Sequence, residues 1–126
     1  MVGLVLVSHS RKLAEGAKEL AALMAKDVPI AAAGGLPDGS FGTDFERIKN
    51  AVEEVLSDDG VLVLMDMGSA VMTTEMVLED YKDRKVCMVD CPFAEGAVVA
   101  AIDASAGMDI DAVRNELSKV AGTPKF

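Results

Sequence analysis

The chain has 126 residues, 51% apolar and 26% charged, a composition that fits one ordinary globular domain and excludes a disordered or fibrous polypeptide. Its formal net charge is -9 and its pI is near 4.4; with no Lys/Arg cluster longer than Arg11-Lys12, it repels a phosphate backbone, and no nucleic acid is expected as a partner. No apolar run approaches the ~20 residues of a membrane span, and Met1 to Val7 lacks the basic region and cleavage site of a secretory signal. A cytoplasmic protein that does not engage a membrane is expected.

Val2 to Ser8 is nearly all apolar and rich in valine, the pattern of a strand buried on both faces. The period then becomes helical: Leu13, Ala17, Leu20, Ala21 and Met24 form the expected inner face, with Arg11, Lys12, Glu15, Lys18 and Glu19 on the wet side. Pro29 to Ala33 is a short second strand. Gly34 to Gly42 carries four glycines and Pro37 in nine residues and reads as a loop. Thr43 and Glu46 have the spacing of a capping box, and Phe45, Ile48, Val52 and Val55 mark the inner face of a second helix. Gly60 breaks that helix, Val61 to Met65 forms a third strand, and Asp66 stands at its carboxyl end. Gly68-Ser69 opens a third helix bearing Met72, Met76 and Leu78, and Lys85 to Val89 is a fourth strand. From Ala94 to Ala106 the residues are mostly small, which suits close approach of another helix or of a second subunit, or simply good helix propensity. Asp109 or Asp111 starts a last helix with Ile110, Val113, Leu117 and Val120 inside. No repeat or linker interrupts this order, so residues 1–126 are expected to form a single domain. The fold class expected is α/β: an open, mainly parallel sheet of at least four strands in the order 2-1-3-4, with helices on both faces.

In such sheets ligands bind beyond the carboxyl ends of the strands, where the strand order reverses. Here that point lies between Val7-Ser8-His9-Ser10 and Met65-Asp66-Met67-Gly68-Ser69, which sets the only histidine opposite a carboxylate. The pairing suits a phosphoryl-accepting imidazole: one nitrogen attacks while the other, as an N–H donor to a carboxylate, fixes the tautomer and supports the developing positive charge. An ordinary imidazole is mostly neutral, hence nucleophilic, at neutral pH. His9 and Asp66 are thus the candidate catalytic pair, with the hydroxyls of Ser10 and Ser69 and the backbone N–H groups near Ser10 and at Gly68-Ser69 as candidate hydrogen-bond donors to the phosphoryl oxygens. The alternative is structural: a hydrogen-bonded histidine at a strand end and an aspartate that caps the third helix.

Cys87 and Cys91, four apart in an apolar run, would lie about 13 Å apart on one face of a strand, beyond disulfide reach, and are expected to be reduced. Their spacing and the single histidine do not make a metal site. Met65, Met67, Met72, Met76 and Met88 read as core or interface filler. The glycine-rich loop lacks the Gly-Lys-Ser/Thr ending of a P-loop, no Gly-x-Gly-x-x-Gly follows the first strand, and there is no Gly-x-Ser-x-Gly elbow. No metal and no bound cofactor are expected.

Several segments together resemble a known family: Val2 through Ser8-His9-Ser10 to Leu13, Gly42-Thr43-Asp44, Val61 through Met65-Asp66-Met67-Gly68-Ser69-Ala70, Pro92-Phe93-Ala94-Glu95-Gly96, and Ala106-Gly107-Met108-Asp109-Ile110. The chain is similar over nearly its whole length to the phosphotransferase subunits of dihydroxyacetone kinase, whose first domain is of the mannose-type IIA group of the phosphoenolpyruvate-dependent phosphotransferase system. Met-Asp-Met-Gly-Ser-Ala is the most specific part. The resemblance implies that His9 is phosphorylated, that Asp66 orients it, and that the Gly68-Ser69 helix start contacts the phosphoryl group. It also implies HPr as donor, ADP on the nucleotide-binding subunit of the kinase as acceptor, a place beside the substrate-binding subunit, and a homodimer. Some members carry further carrier domains; a chain without them is expected to depend on separate donors. Two readings compete within phosphotransfer: a IIA component of a sugar transporter that passes phosphate to a IIB protein, and a receiver domain phosphorylated on Asp66, which would need acidic residues where Ser8-His9-Ser10 stands. A third is a regulatory module whose His9 only binds a ligand.

Overall fold

The computed structural model describes all 126 residues. The chain runs β1 (Gly3–Ser8), α1 (Arg11–Met24), β2 (Ile30–Gly34), α2 (Phe45–Val55), β3 (Val61–Met65), a single 3-10 turn (Gly68–Ala70), α3 (Val71–Leu78), a second such turn (Glu79–Tyr81), β4 (Val86–Met88), α4 (Phe93–Ser105), α5 (Ile110–Leu117) and a last turn (Val120–Gly122). The four strands form one parallel sheet in the order β2-β1-β3-β4, as expected. Leu6 stands opposite Ala32 on one side and Leu64 on the other, and Val7 stands opposite Met65. That register brings Ser8 and His9 level with Asp66.

Alternation along the central strands sorts the core by size. Leu4, Leu6, Leu62 and Leu64 face α1, α4 and α5, where they meet Ala17, Ala21, Ala97, Ala100, Ala101 and Ala104. Val5, Val7, Val61 and Val63 face α2 and α3, where Ile48, Val52, Val55 and Val77 supply the bulk. Large side chains from the sheet thus meet small ones from the helices on one face, and medium meets medium on the other, which fills both layers. Full burial of each leucine contributes about 1.5–3 kcal/mol.

This packing corrects the expected inner face of α1. Ala14, Ala17 and Ala21 are buried, whereas Leu13, Leu20, Leu23 and Met24 are exposed. The helix presents its alanines because only they let it approach the leucines of the sheet and the alanines of α4. The α2 face is as expected, with Ile48, Val52 and Val55 buried, but its cap is shifted by one. Asp44 is the N-cap and accepts from the Arg47 N–H at 3.0 Å, while Thr43 pairs its hydroxyl with that of Thr73 at 3.1 Å. Both residues are good caps, and the carboxylate takes the position. The choice at α5 falls on Asp109, which accepts from the Ala112 N–H at 2.8 Å.

β4 is shorter than expected, three residues; Cys87 lies in it and Cys91 in the segment beyond. Both thiols are free. Burial pushes both thiols up, that of Cys91 to about 11. No helix is long and apolar enough to cross a membrane.

Candidate functional site

β1 delivers His9 and β3 delivers Asp66 to the same end of the sheet, and the two side chains meet there. His9 Nδ1 lies 3.1 Å from Asp66 Oδ1. The other carboxylate oxygen, Oδ2, accepts from the Ser8 hydroxyl at 2.9 Å and from the His9 backbone N–H at 3.1 Å. The Asp66 side chain is 9% exposed and that of His9 22%. Burial works to raise the Asp66 carboxyl, but the His9 N–H, the His9 ring and the Ser8 hydroxyl together hold it below the ordinary carboxylate range. It is therefore ionised, and an ionised carboxylate only accepts hydrogen bonds. Nδ1 must carry the ring proton, which leaves the lone pair on Nε2. Asp66 does not cap the third helix: Met67 stands before the 3-10 turn, and no side chain caps that turn or α3.

Ser8 is the residue that sequence reasoning missed. It is fully buried, donates to Asp66 Oδ2, and accepts from the Ser10 N–H at 3.0 Å. The one signal in the sequence was a hydroxyl at the end of an otherwise apolar strand. Because Ser8 takes the Ser10 N–H, that donor is not free, and the Ser10 hydroxyl caps α1 by accepting from the Leu13 N–H at 3.2 Å. Ser10 thus acts first on the helix that follows His9. Gly68 and Ser69 are exposed, and they open a single 3-10 turn that leads into α3, not a regular helix. Ser69 Oγ lies 2.9 Å from His9 Nε2.

The glycine-rich loop holds the segment from behind. The Gly35 N–H donates to the Ser8 carbonyl at 3.1 Å and the Gly42 N–H to the His9 carbonyl at 2.9 Å. Arg47 donates to the Gly34 carbonyl at 3.1 Å, tying α2 to the same loop. Gly34 leaves no room for a side chain: a Cβ there would sit 2.5 Å from the Ser10 carbonyl oxygen and 2.8 Å from Arg11 Cα. Phe41 at the loop tip and Met67, Met72 and Met76 on the α3 side are exposed. Met65 and Met88 are half-buried, so the methionines divide between core and surface.

The chain is thus a small doubly wound α/β domain with an imidazole and an ionised carboxylate at its switch point. The model of one family, the PTS system fructose IIA component (EIIA-man), matches residues 3–114, and the chain belongs to it. Its relatives include the phosphotransferase subunit DhaM of the PTS-dependent dihydroxyacetone kinase of Lactococcus lactis, 38% identical over 118 residues, which cover 94% of each chain. The phosphoryl donor subunit DhaM of the PEP-dependent dihydroxyacetone kinase of Escherichia coli is 43% identical over 120 residues, 90% of this chain but 25% of that one. Among solved structures, a protein of unknown function, EF1359, superimposes with a TM-score of 0.84 at 29% identity, over 99% of this chain and 98% of that one.

Proposed function

We propose that this chain is a phosphoryl carrier that receives a phosphoryl group from HPr on Nε2 of His9 and passes it to ADP held on the nucleotide-binding subunit of dihydroxyacetone kinase. The observation that carries the reading is the hydrogen bond from Nδ1 to Asp66, which leaves Nε2 as the nucleophile on the open side of the ring. In the loading step the Nε2 lone pair attacks the phosphorus of the donor phosphohistidine in line, the donor N–P bond breaks, and its electron pair returns to the donor ring. The imidazolium formed at His9 keeps its Nδ1 proton against Asp66. Ser69 turns its hydroxyl away from Nε2 and donates it to a phosphoryl oxygen, with the Gly68 region alongside. In the discharging step a β-phosphate oxygen of ADP attacks the same phosphorus and Nε2 leaves, forming ATP on the partner subunit.

Relatives named for dihydroxyacetone kinase support this reading over a sugar-transporter component that feeds a IIB protein. The exposed Phe41, Met67 and Met72 offer a protein partner apolar contact, and the net charge of -9 favours approach of a basic carrier. The proposal includes a homodimer working beside the substrate-binding subunit in the cytoplasm; sedimentation of the purified chain tests its dimeric part.

The direct test is intact mass after incubation with phosphoenolpyruvate, enzyme I and HPr. One acid-labile phosphoryl group on the wild type and none on His9→Ala is the expected result. If HPr is fully charged and neither protein gains mass, His9 is structural and the ligand-binding alternative takes over.

A further inference from the structure

Three side chains at the switch point form one hydrogen-bonded row: Asp66 Oδ1 to His9 Nδ1 at 3.1 Å, then His9 Nε2 to Ser69 Oγ at 2.9 Å. Its polarity is set from the buried end. Nδ1 carries the ring proton because Asp66 can only accept, so Nε2 accepts, and the Ser69 O–H is the donor. A serine hydroxyl aimed at the lone pair of an imidazole whose far nitrogen is held by a carboxylate is the arrangement that activates serine for attack on a carbonyl carbon. Histidine comes from one strand end, and aspartate and serine come together from the next, so no elbow motif marks it. Phosphoryl carriage leaves this proton on Ser69, whose hydroxyl there only donates a hydrogen bond, since Nε2 itself attacks.

We propose that Ser69 is a nucleophile in its own right and gives the chain an acyl-transfer activity toward small esters with a short apolar acyl chain and a good leaving group. Oγ bonds to the acyl carbon as its proton passes to Nε2. The imidazolium, held by Asp66, returns that proton to the departing alkoxide as the ester C–O bond breaks. The acyl group stays on Ser69 until water, deprotonated by the same nitrogen, releases the carboxylic acid and restores the hydroxyl. No oxidant, metal or cofactor enters the balance.

The substrate class follows from the surroundings. Ser69 is exposed and follows Gly68, which lines a cavity of about 440 Å³ together with Met65, Met67, Val71 and Met88 and the charged Asp90 and Arg114. Thioethers and a valine suit a short alkyl chain. An exposed serine leaves the alcohol portion in solvent, so a leaving group of low basicity is required.

The test uses the full chain with p-nitrophenyl acetate and, separately, with an alkyl fluorophosphonate. A burst of one p-nitrophenolate per chain is expected, with the acetyl or phosphonyl adduct mapped by mass spectrometry to Ser69. Acylation falls by about a hundredfold or more in Ser69→Ala and in His9→Ala, the range of a lost nucleophile or general base. Thermal melting confirms that each variant is folded. An adduct on His9, a Ser69→Ala variant as fast as the wild type, or a rate no greater than that of the unfolded chain overturns the proposal. None of these readouts needs a phosphoryl donor, so this inference and the carrier reading fail separately.

Discussion

The two sides of the His9 ring are built differently. Toward Nδ1 every group is buried or half-buried and partnered: Asp66 takes three hydrogen bonds, Ser8 links it to the Ser10 N–H, and two glycine N–H groups hold the Ser8 and His9 carbonyls. Toward Nε2 there is one exposed, rotatable hydroxyl, that of Ser69. The inner side is a frame that fixes which nitrogen bears the proton. The outer side is left adjustable, where a reaction partner must enter.

The comparison breaks most completely at the ring itself: His9→Ala abolishes acid-labile phosphorylation, read by intact mass. Next is Asp66→Asn. The amide oxygen takes over the Oδ2 position, because only an oxygen can accept from the Ser8 hydroxyl and the His9 N–H, and its NH2 then faces Nδ1. The ring proton moves to Nε2, and the phosphorylation rate falls by about 10⁴-fold, comparable with wrong-tautomer variants elsewhere. Quench-flow with charged HPr measures this while the fold is retained.

The same carboxylate gives the frame a pH signature. Its folded pKa lies below the ordinary value, so its contribution to stability is present above the unfolded pKa of ~3.9 and is lost as pH falls through the lower folded value. The wild type therefore loses part of its stability in that acidic window, and Asp66→Asn loses less. Urea midpoints of both proteins at about pH 6 and about pH 2.5 test the sign.

Behind the frame, Gly34→Ala forces a methyl group against the Ser10 carbonyl and Arg11 Cα and costs about 1–3 kcal/mol by overpacking. Denaturant melts report that loss, and slower loading of His9 accompanies it because the crowded atoms follow the histidine. The smallest effect sharpens the contrast between neighbouring and remote caps. Ser10→Ala and Asp109→Ala each remove an N-cap and each cost about 1 kcal/mol. Only the first slows phosphorylation, since α1 begins two residues after His9.

Much of this was legible in the sequence because the central strands carry unbroken apolar runs and the helices carry period. The order 2-1-3-4 followed from four strands and right-handed crossovers, and with it the meeting of the β1 and β3 ends. The inner face of α1 was not legible. A helix rich in both leucine and alanine offers two apolar stripes, and the leucines already supplied by the sheet decide which one fits. The capping of α2 was ambiguous because Thr43 and Asp44 are adjacent and both competent. At the site, His9 and Asp66 could be read from topology, but the Ser8 hydroxyl and the contact of Ser69 with Nε2 depend on rotamers and on a tight turn, which residue spacing does not encode.

The position of Ser69 also bears on how long a loaded carrier keeps what it holds. Displacement at phosphorus requires the incoming oxygen to stand opposite the leaving nitrogen. Ser69 Oγ lies 2.9 Å from Nε2, on the lone pair that would bond phosphorus, so the hydroxyl must move aside before a phosphoryl group can be seated there. The hydroxyl that donates to the resting ring's lone pair is thus displaced when the ring is charged. Under the carrier reading, the lifetime of the phosphohistidine then depends on where that hydroxyl settles after it moves, as well as on water and partners.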